Sequence, residues 1–300
     1  MLLYLLLYPQ EALNAAKDGM GLWLNVIIPT LLPFLILTGI LIHMDLIETI
    51  LAPMKKVWKV CFGVSASGAY ALLVGILCGY PMGTKTTSDL YENHKIEKRE
   101  AEYLLTFTNH ASPIFIRTYL CHICMEDQIP YGEILGILMA AAAVVMLFFR
   151  FCIFHNQTCS KLETPLLKKK TSTPSSSGAF LDVSIMNGFE TITRIGGYIL
   201  MFSILSACIH HFFVSDNTIR CLISGMLELT TGLHQLQNCN MQITLKYMLA
   251  MFMTAFGGIC ITLQSRSLIS SKLSLCPYII AKMMHGIIAA MMVLFFSEIV

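Results

Sequence analysis

Charge is what this sequence has least of. Only 13% of its 300 residues are Asp, Glu, Lys or Arg, against about a quarter in a typical soluble domain. Too few charges remain to cover a water-facing surface. They are also unevenly spread, with none from Gly19 to Met44, Val60 to Thr84, Ile134 to Phe149, Ile195 to Ser215, or Tyr247 to Ser265. Most of these runs approach the roughly 20 residues a helix needs to cross a hydrocarbon core. With 56% hydrophobic residues and a mean hydropathy of +0.69, the expected class is all-α and polytopic in the membrane. The alternative is a soluble chain with several buried core helices.

Other absences narrow the function. No basic face with interleaved aromatics accompanies the net charge of +2, so nucleic acid is not an expected partner. Walker, GxSxG, HExxH and dinucleotide fingerprints are all missing, and the Gly63–Gly68 stretch lacks the following Lys-Ser/Thr. No nucleophile–base pair can be argued, so no enzymatic activity is expected. The 11 cysteines are odd in number and lie mostly inside apolar runs, which speaks against a disulfide framework. Cys121 and Cys124 have CxxC spacing, but no second pair follows at zinc-ligand spacing. Neither a cofactor nor a metal is expected. The opening MLLYLLLYP has no basic n-region and no small-residue cleavage site, unlike a signal peptide. Eight residues before Pro9 span only about 12 Å as a helix. A remnant of a first span and a late start both remain open.

What is present suggests two halves. A first unit over residues 1–154 is followed by a Lys-, Ser-, Thr- and Pro-rich linker over 155–180, expected to be flexible and cytoplasmic. A second unit covers 181–300. In the first, an amphipathic stretch (Glu11–Asp18) leads into an apolar segment interrupted by Pro29 and Pro33. Prolines inside apolar spans kink the helix unless neighbours satisfy the freed carbonyls. The run near 60–84 holds five glycines and Pro81, a composition suited to a re-entrant hairpin. Residues 85–102 are charged and read as a loop with a water-exposed helix. Tyr103–Leu120 is broken at Pro113, and Tyr131–Phe154 is the cleanest span. The second half repeats this order: a lead over Asp182–Arg194, a span over Ile195–Val214, a hairpin near 219–238, and spans over Ile243–Leu263 and Pro277–Val300. Lys17–Leu37 aligns weakly without gaps to Met186–Ser206, sharing Gly19 and Gly188. If the 60–84 run is re-entrant, Lys55–Lys59, Lys85–Arg99 and the linker all fall on the cytoplasmic side. The two starts then face opposite sides, which is the pattern of inverted-repeat transporters with a midplane site.

Candidate site residues sit at the interruptions. Gly79, Tyr80, Pro81, Gly83, Thr84 and Lys85 form the expected hairpin tip, since non-helical backbone at membrane depth survives only where it is buried or lines a cavity. An ordinary surface loop is the competing reading. Asn109, His110 and Ser112 form a polar trio beside Pro113, suited either to a solute site or to helix–helix packing. Glu228, with Thr230 and Thr231, offers a carboxylate for a proton, cation or amine, or an interfacial residue at a hairpin mouth. Gly257 and Gly258 break the next span, with Thr262 and Gln264 following. Lys282 and His285 share a helix face, and Lys282 is expected to snorkel to the interface.

The segment CGYPMGTKTTSDLYENHKIEKREAEYLLTFTNHASPIF, residues 78–115, resembles the YlbJ family of sporulation integral membrane proteins, within the nucleoside-recognition, or Gate, superfamily. Its pattern is matched by Pro9, Glu11, Ala15, Gly19 and Trp23, then Pro29, Leu31, Pro33 and Phe34. Next come Gly79, Tyr80, Pro81, Gly83 and Lys85, followed by Glu102, Leu104, Phe107, Asn109 and Pro113. PYIIAKMMHG at Pro277–Gly286 resembles a later family segment, with Lys282 where the family carries Arg. The chain is also shorter than typical members.

The resemblance implies a concentrative-nucleoside-transporter-like inverted repeat with two re-entrant hairpins. It implies a role in spore cortex formation, in the forespore or mother-cell membrane of a Gram-positive endospore former. Expected partners are the lipid bilayer and a small polar solute such as a nucleoside, with a second copy or other sporulation membrane proteins as further candidates. A non-transporting scaffold for spore-envelope assembly and a divalent metal permease are the alternatives.

Overall fold

The computed structural model describes residues 1–44, 51–155, 177–213 and 217–297; most of the expected linker lies outside these. The described residues are helical, without strands. Four helical segments among them are long and apolar enough to cross a membrane: Tyr131–Ile153, Leu181–Phe212, Ile243–Leu268 and Cys276–Phe295. A fifth candidate is a pair, Lys55–Phe62 and Ala66–Cys78, bent by 72°, and Leu31–Ile42 is a shorter apolar helix. The chain is an α-helical polytopic membrane protein. Side chains such as Leu77, Ile114, Phe151, Met186 and Phe295 stand exposed, as a lipid-facing surface requires.

Helices α1 (Leu2–Leu7) and α2 (Pro9–Leu22) lead through a π-helical turn at Trp23–Ile27 into α3 (Ile28–His43). The wide turn precedes Pro29 and Pro33, whose missing N–H groups loosen the ladder there. A single helix, α9 (Ser177–Phe213), packs along both α2 and α3. The amphipathic lead and the span expected from Asp182 are therefore one continuous rod as far as Phe213. Trp23 fixes this packing by donating to the Ile192 carbonyl at 2.9 Å.

The next elements form a hairpin. Helix α4 (Ala66–Cys78) is capped by the Ser65 hydroxyl, which accepts from Gly68 N–H. The chain turns at Gly79–Pro81 through a cis peptide before Pro81 and returns as α5 (Met82–Glu92). The stretch expected as a loop with a water-exposed helix is thus already helical as far as Glu92. The α5 residues Thr84, Thr86, Thr87 and Ser88 are buried, and a hydroxyl can be buried in a helix by bonding the preceding turn, as Thr87 does with the Gly83 carbonyl at 2.8 Å. Helix α6 (Lys98–Leu105) follows, and its Glu100 accepts from Ser65 N–H at 2.6 Å. Burial pushes the Glu100 carboxyl above its ordinary range, against the lowering pull of the Ser65 hydrogen bonds.

Beyond α6 the helix stops over residues 106–112 and resumes as α7 (Pro113–Phe115), continuing π-helically over Ile116–Cys124. The interruption thus begins a full turn and more before Pro113. Helix α8 (Tyr131–Phe148) returns and ends in a π turn at Phe149–Ile153. After α9, a second hairpin is built from α10 (Asn217–Leu227) and α11 (Leu229–Gln237). Then α12 (Ile243–Phe256) and α13 (Gly258–Leu268) meet at a break, and α14 (Cys276–Ser297) packs on α8 and α12.

Both hairpins close over glycine. A Cβ on Gly75 or on Gly83 would stand 1.9 Å from the Thr108 carbonyl oxygen. A Cβ on Gly232 would stand 2.1 Å from the Gly225 Cα. These contacts let the arms approach at backbone distance. One end of the molecule gathers the basic segments. Arg150 donates to the Cys61 carbonyl at 2.7 Å, Arg194 to that of Ser267 at 3.2 Å, and Ser274 N–H to Glu102 at 3.0 Å. At the opposite end His211 meets Glu11 at 3.0 Å and His122 meets Asp127 at 2.7 Å.

The glycine crossings should be intolerant of a single methyl. Gly83→Ala is expected to lower thermal stability in detergent by about 1–3 kcal/mol. Gly136→Ala, with nothing within 4 Å of the new Cβ, is expected to be neutral or slightly stabilising.

Candidate functional site

A helix that breaks inside an apolar environment exposes carbonyls that water cannot reach. At 106–112 three consecutive carbonyls are released, and each is met differently. That of Thr108 presses onto the Gly75–Gly83 crossing. That of Asn109, to which Pro113 has no N–H to offer, accepts from Lys282 Nζ at 3.0 Å. That of His110 accepts from Tyr80 N–H at 2.6 Å. The break is thereby tied to the tip of the first hairpin and to the last helix.

Side chains complete the cluster. The Asn109 amide, 1% exposed, donates to Ser265 Oγ at 3.2 Å and to Tyr278 Oη at 3.0 Å. Ser265 and Tyr278 are themselves 3.2 Å apart. Lys282, 2% exposed, lies 5.9 Å from the centre of the Tyr80 ring. The His110 and His285 rings meet edge-on with centroids 5.5 Å apart, and His285 Nε2 lies 3.1 Å from the Leu138 carbonyl. Several polar atoms are buried here without a hydrogen-bond partner among the described residues: Asn109 Oδ1, His110 Nδ1, Thr108 Oγ1, Thr84 Oγ1 and Tyr80 Oη. Unmet buried polar atoms on this scale mark a place where a further polar molecule can bind.

The second hairpin reaches the same region. Tyr80 packs in one apolar cluster with Leu229 and Leu233 of α11 and lies within electrostatic range of Glu228. The two glycines of the second break have positive φ, +86° at Gly257 and +82° at Gly258, where a side chain would be strained. A Cβ on Gly258 would face the carbonyls of Gly225, Met226 and Leu227 at 3.3 Å each.

Sequence candidates therefore divide. Gly79, Tyr80, Pro81, Gly83 and Thr84 lie at or beside the tip, and Asn109 is at the centre. Ser112 caps α7 by accepting from Phe115 N–H at 3.2 Å, and its backbone abuts Gly79. Glu228, open in the sequence to either a ligand role or an interfacial place at a hairpin mouth, caps α11, accepting from the Thr230 and Thr231 amides at 3.0 and 2.7 Å and from their hydroxyls at 2.7 and 2.6 Å. Three of these bonds fall on Oε2 and one on Oε1. Lys85 is turned from the tip. It pairs with Asp89 and lines a cavity of about 440 Å³ near Arg194 and Ser267. Gln264 is buried against Cys260 Sγ at 3.2 Å, and the Thr262 hydroxyl bonds the Gly258 carbonyl.

The snorkelling expected of Lys282 is overturned, because the ammonium points into the protein onto a carbonyl that has lost its helical donor. Tyr278 and Ser265 were not among the site candidates read from the sequence. The signal was available for one of them, since Tyr278, Lys282 and His285 recur at the spacing of a single helix face. No set of His, Cys, Asp and Glu among the described residues could hold a metal ion.

The chain matches no protein-family model and no solved structure. It is 25% identical over 329 residues to the sporulation integral membrane protein YlbJ of Bacillus subtilis (strain 168), covering 96% of this chain and 78% of that protein. This chain is a homologue of YlbJ. An alignment of that length carries the YlbJ likeness through both hairpins, both breaks and the final helix, not only the 78–115 segment.

Stability should separate the roles at this site. Asn109→Ala removes donors that nothing replaces, and is expected to lower stability by about 1–3 kcal/mol. Lys282→Met leaves the buried Asn109 carbonyl without its donor, a cost of about 1–3 kcal/mol that relief from burying an ammonium offsets in part. Thermal melts in detergent check both, and a Lys282→Met protein more stable than the unaltered one would contradict this placement.

Proposed function

We propose that this protein is a carrier-like membrane protein that moves a nucleoside or similar small polar solute during building of the spore cortex. The observation that carries the reading is the buried polar cluster at the first helix break, where Asn109, Lys282, Tyr278 and Ser265 meet beside two hairpin tips. Such a cluster is costly in an apolar core, and broken helices facing a central site are the usual carrier solution. The sporulation setting comes from the relative's name.

We further read the two halves as an inverted repeat. Each contains a glycine-crossed hairpin, then a broken helix, then a long unbroken one. The basic end is assigned to the cytoplasm by its lysines and arginines, so the hairpins enter from opposite faces. The Lys282 ammonium retains donors beyond its bond to Asn109 for a solute oxygen. Glu228, occupied by its own helix, then serves to hold the second tip rigid rather than to bind.

Purified protein in liposomes, offered labelled nucleosides, cell-wall precursors and divalent metals in turn, tests this. Uptake of one polar class is expected, with loss of at least tenfold in Lys282→Met at unchanged protein level, as for removal of a charge-assisted hydrogen bond worth about 1.5–3 kcal/mol. Absence of uptake, efflux and binding for every class would overturn the reading. Full sporulation in a Lys282→Met strain would instead favour a scaffold.

A further inference from the structure

We propose that the cavity between α3, α5, α9 and α13 at the basic end is a binding vestibule for an uncharged, hydroxyl-bearing solute on the cytoplasmic side of the central site. Its volume of about 440 Å³ lies within the range of small-molecule sites. It follows α9 from Val183 to Arg194, about 16 Å of helix. Glu190 and Arg194 belong to the apolar span Leu181–Phe212, yet their side chains are 62% and 51% exposed. Charged residues inside a span almost always face the protein interior or a water-filled cavity. This ion pair stands in the cavity wall, so water rather than lipid fills the deep end. There the cavity nears the central site from two sides. Lys85 is one helical turn from the first hairpin tip, its N–H donating to the Pro81 carbonyl at 3.0 Å. Ser267, whose carbonyl accepts from Arg194 at 3.2 Å, lies two residues beyond Ser265.

The lining sets the class of solute. Its two cations are already paired within their own helices, Lys85 with Asp89 and Arg194 with Glu190 at 2.6 Å. Glu92 adds a further carboxylate, so a phosphate or carboxylate meets repulsion there. An uncharged solute leaves both pairs intact. Leu35, Ile42 and Ile269 give the cavity an apolar wall, while Asn187, Ser270 and Ser271 offer hydrogen-bonding groups. That division suits a solute with one apolar face and several hydroxyls, as a nucleoside or an N-acetylated sugar has. The role as a vestibule rests on the carrier reading above, whereas occupancy of the cavity is measured independently of transport.

Solute protection of a reporter thiol in everted membrane vesicles tests it. In a cysteine-free full chain, Ser271→Cys puts a thiol in the cavity wall, and Lys55→Cys puts one at an exposed position outside it. An impermeant maleimide should label both. Adenosine or N-acetylglucosamine at about 10 mM should slow Ser271→Cys labelling about tenfold, as a site of millimolar affinity gives. Protection by either supports the proposal, and the one that protects identifies the source. Labelling of Lys55→Cys should not change. Adenosine monophosphate and N-acetylglucosamine 1-phosphate should give no protection. Asn187→Trp, which fills the cavity without altering charge, should abolish the protection, and Glu92→Lys should extend it to the phosphate esters. A Ser271→Cys thiol that stays unlabelled, labelling unchanged by both solutes, or equal protection by the phosphate esters would overturn the proposal. Protection without uptake in liposomes would uphold the binding site and refute the carrier reading, and uptake without protection would do the reverse.

Discussion

Backbone carbonyls released where a helix breaks in an apolar environment must find donors within the protein, because lipid supplies none. In this protein that requirement organises the centre of the molecule. The carbonyls of Asn109 and His110 are satisfied from outside their own helix, by Lys282 Nζ and Tyr80 N–H. The Thr108 carbonyl sits against a crossing that only glycine permits. Shift the break by one residue and each of these partners is misaligned. The hairpin tip, the broken helix and the last helix are therefore fixed relative to one another by the backbone.

The second half solves the same problem with different chemistry. Its break is made by two glycines of positive φ rather than by a proline, and its hairpin tip is a carboxylate cap rather than a Gly-Tyr-Pro turn. Side chains from both halves then converge, with Asn109 from the first and Ser265, Tyr278 and Lys282 from the second. Under the proposed carrier reading, relative motion of the two halves would rearrange this site.

Much of this was legible in the sequence, for physical reasons. Charge-free runs mark what can enter a membrane, and clustered Gly and Pro mark where a helix cannot continue. The YlbJ likeness was readable from Gly79, Tyr80, Pro81, Asn109 and Pro113. The rest depended on direction and partnership, which composition does not encode. Residues 85–102 looked like a loop with a water-exposed helix because they are charged, yet Thr86, Thr87 and Ser88 are buried, and the preceding turn offers an acceptor, as for Thr87. Lys282 looked suited to snorkelling because a lysine near a helix end usually reaches water. The carbonyl that draws it inward lies 173 residues away in sequence. Glu228 stayed open to a ligand role because its capping bonds depend on backbone geometry at the hairpin tip.

The account's central claim is that the first break and the second half meet at Asn109 and Ser265. The direct measurement is cross-linking of Asn109→Cys with Ser265→Cys in a cysteine-free background, with a protease site placed between residues 155 and 177. The two side chains are 3.2 Å apart, so oxidation in native membranes should hold the two fragments together after cleavage until a reductant is added. Fragments that separate under oxidising conditions, while a short bifunctional thiol cross-linker on the same pair also fails to join them, would contradict the account.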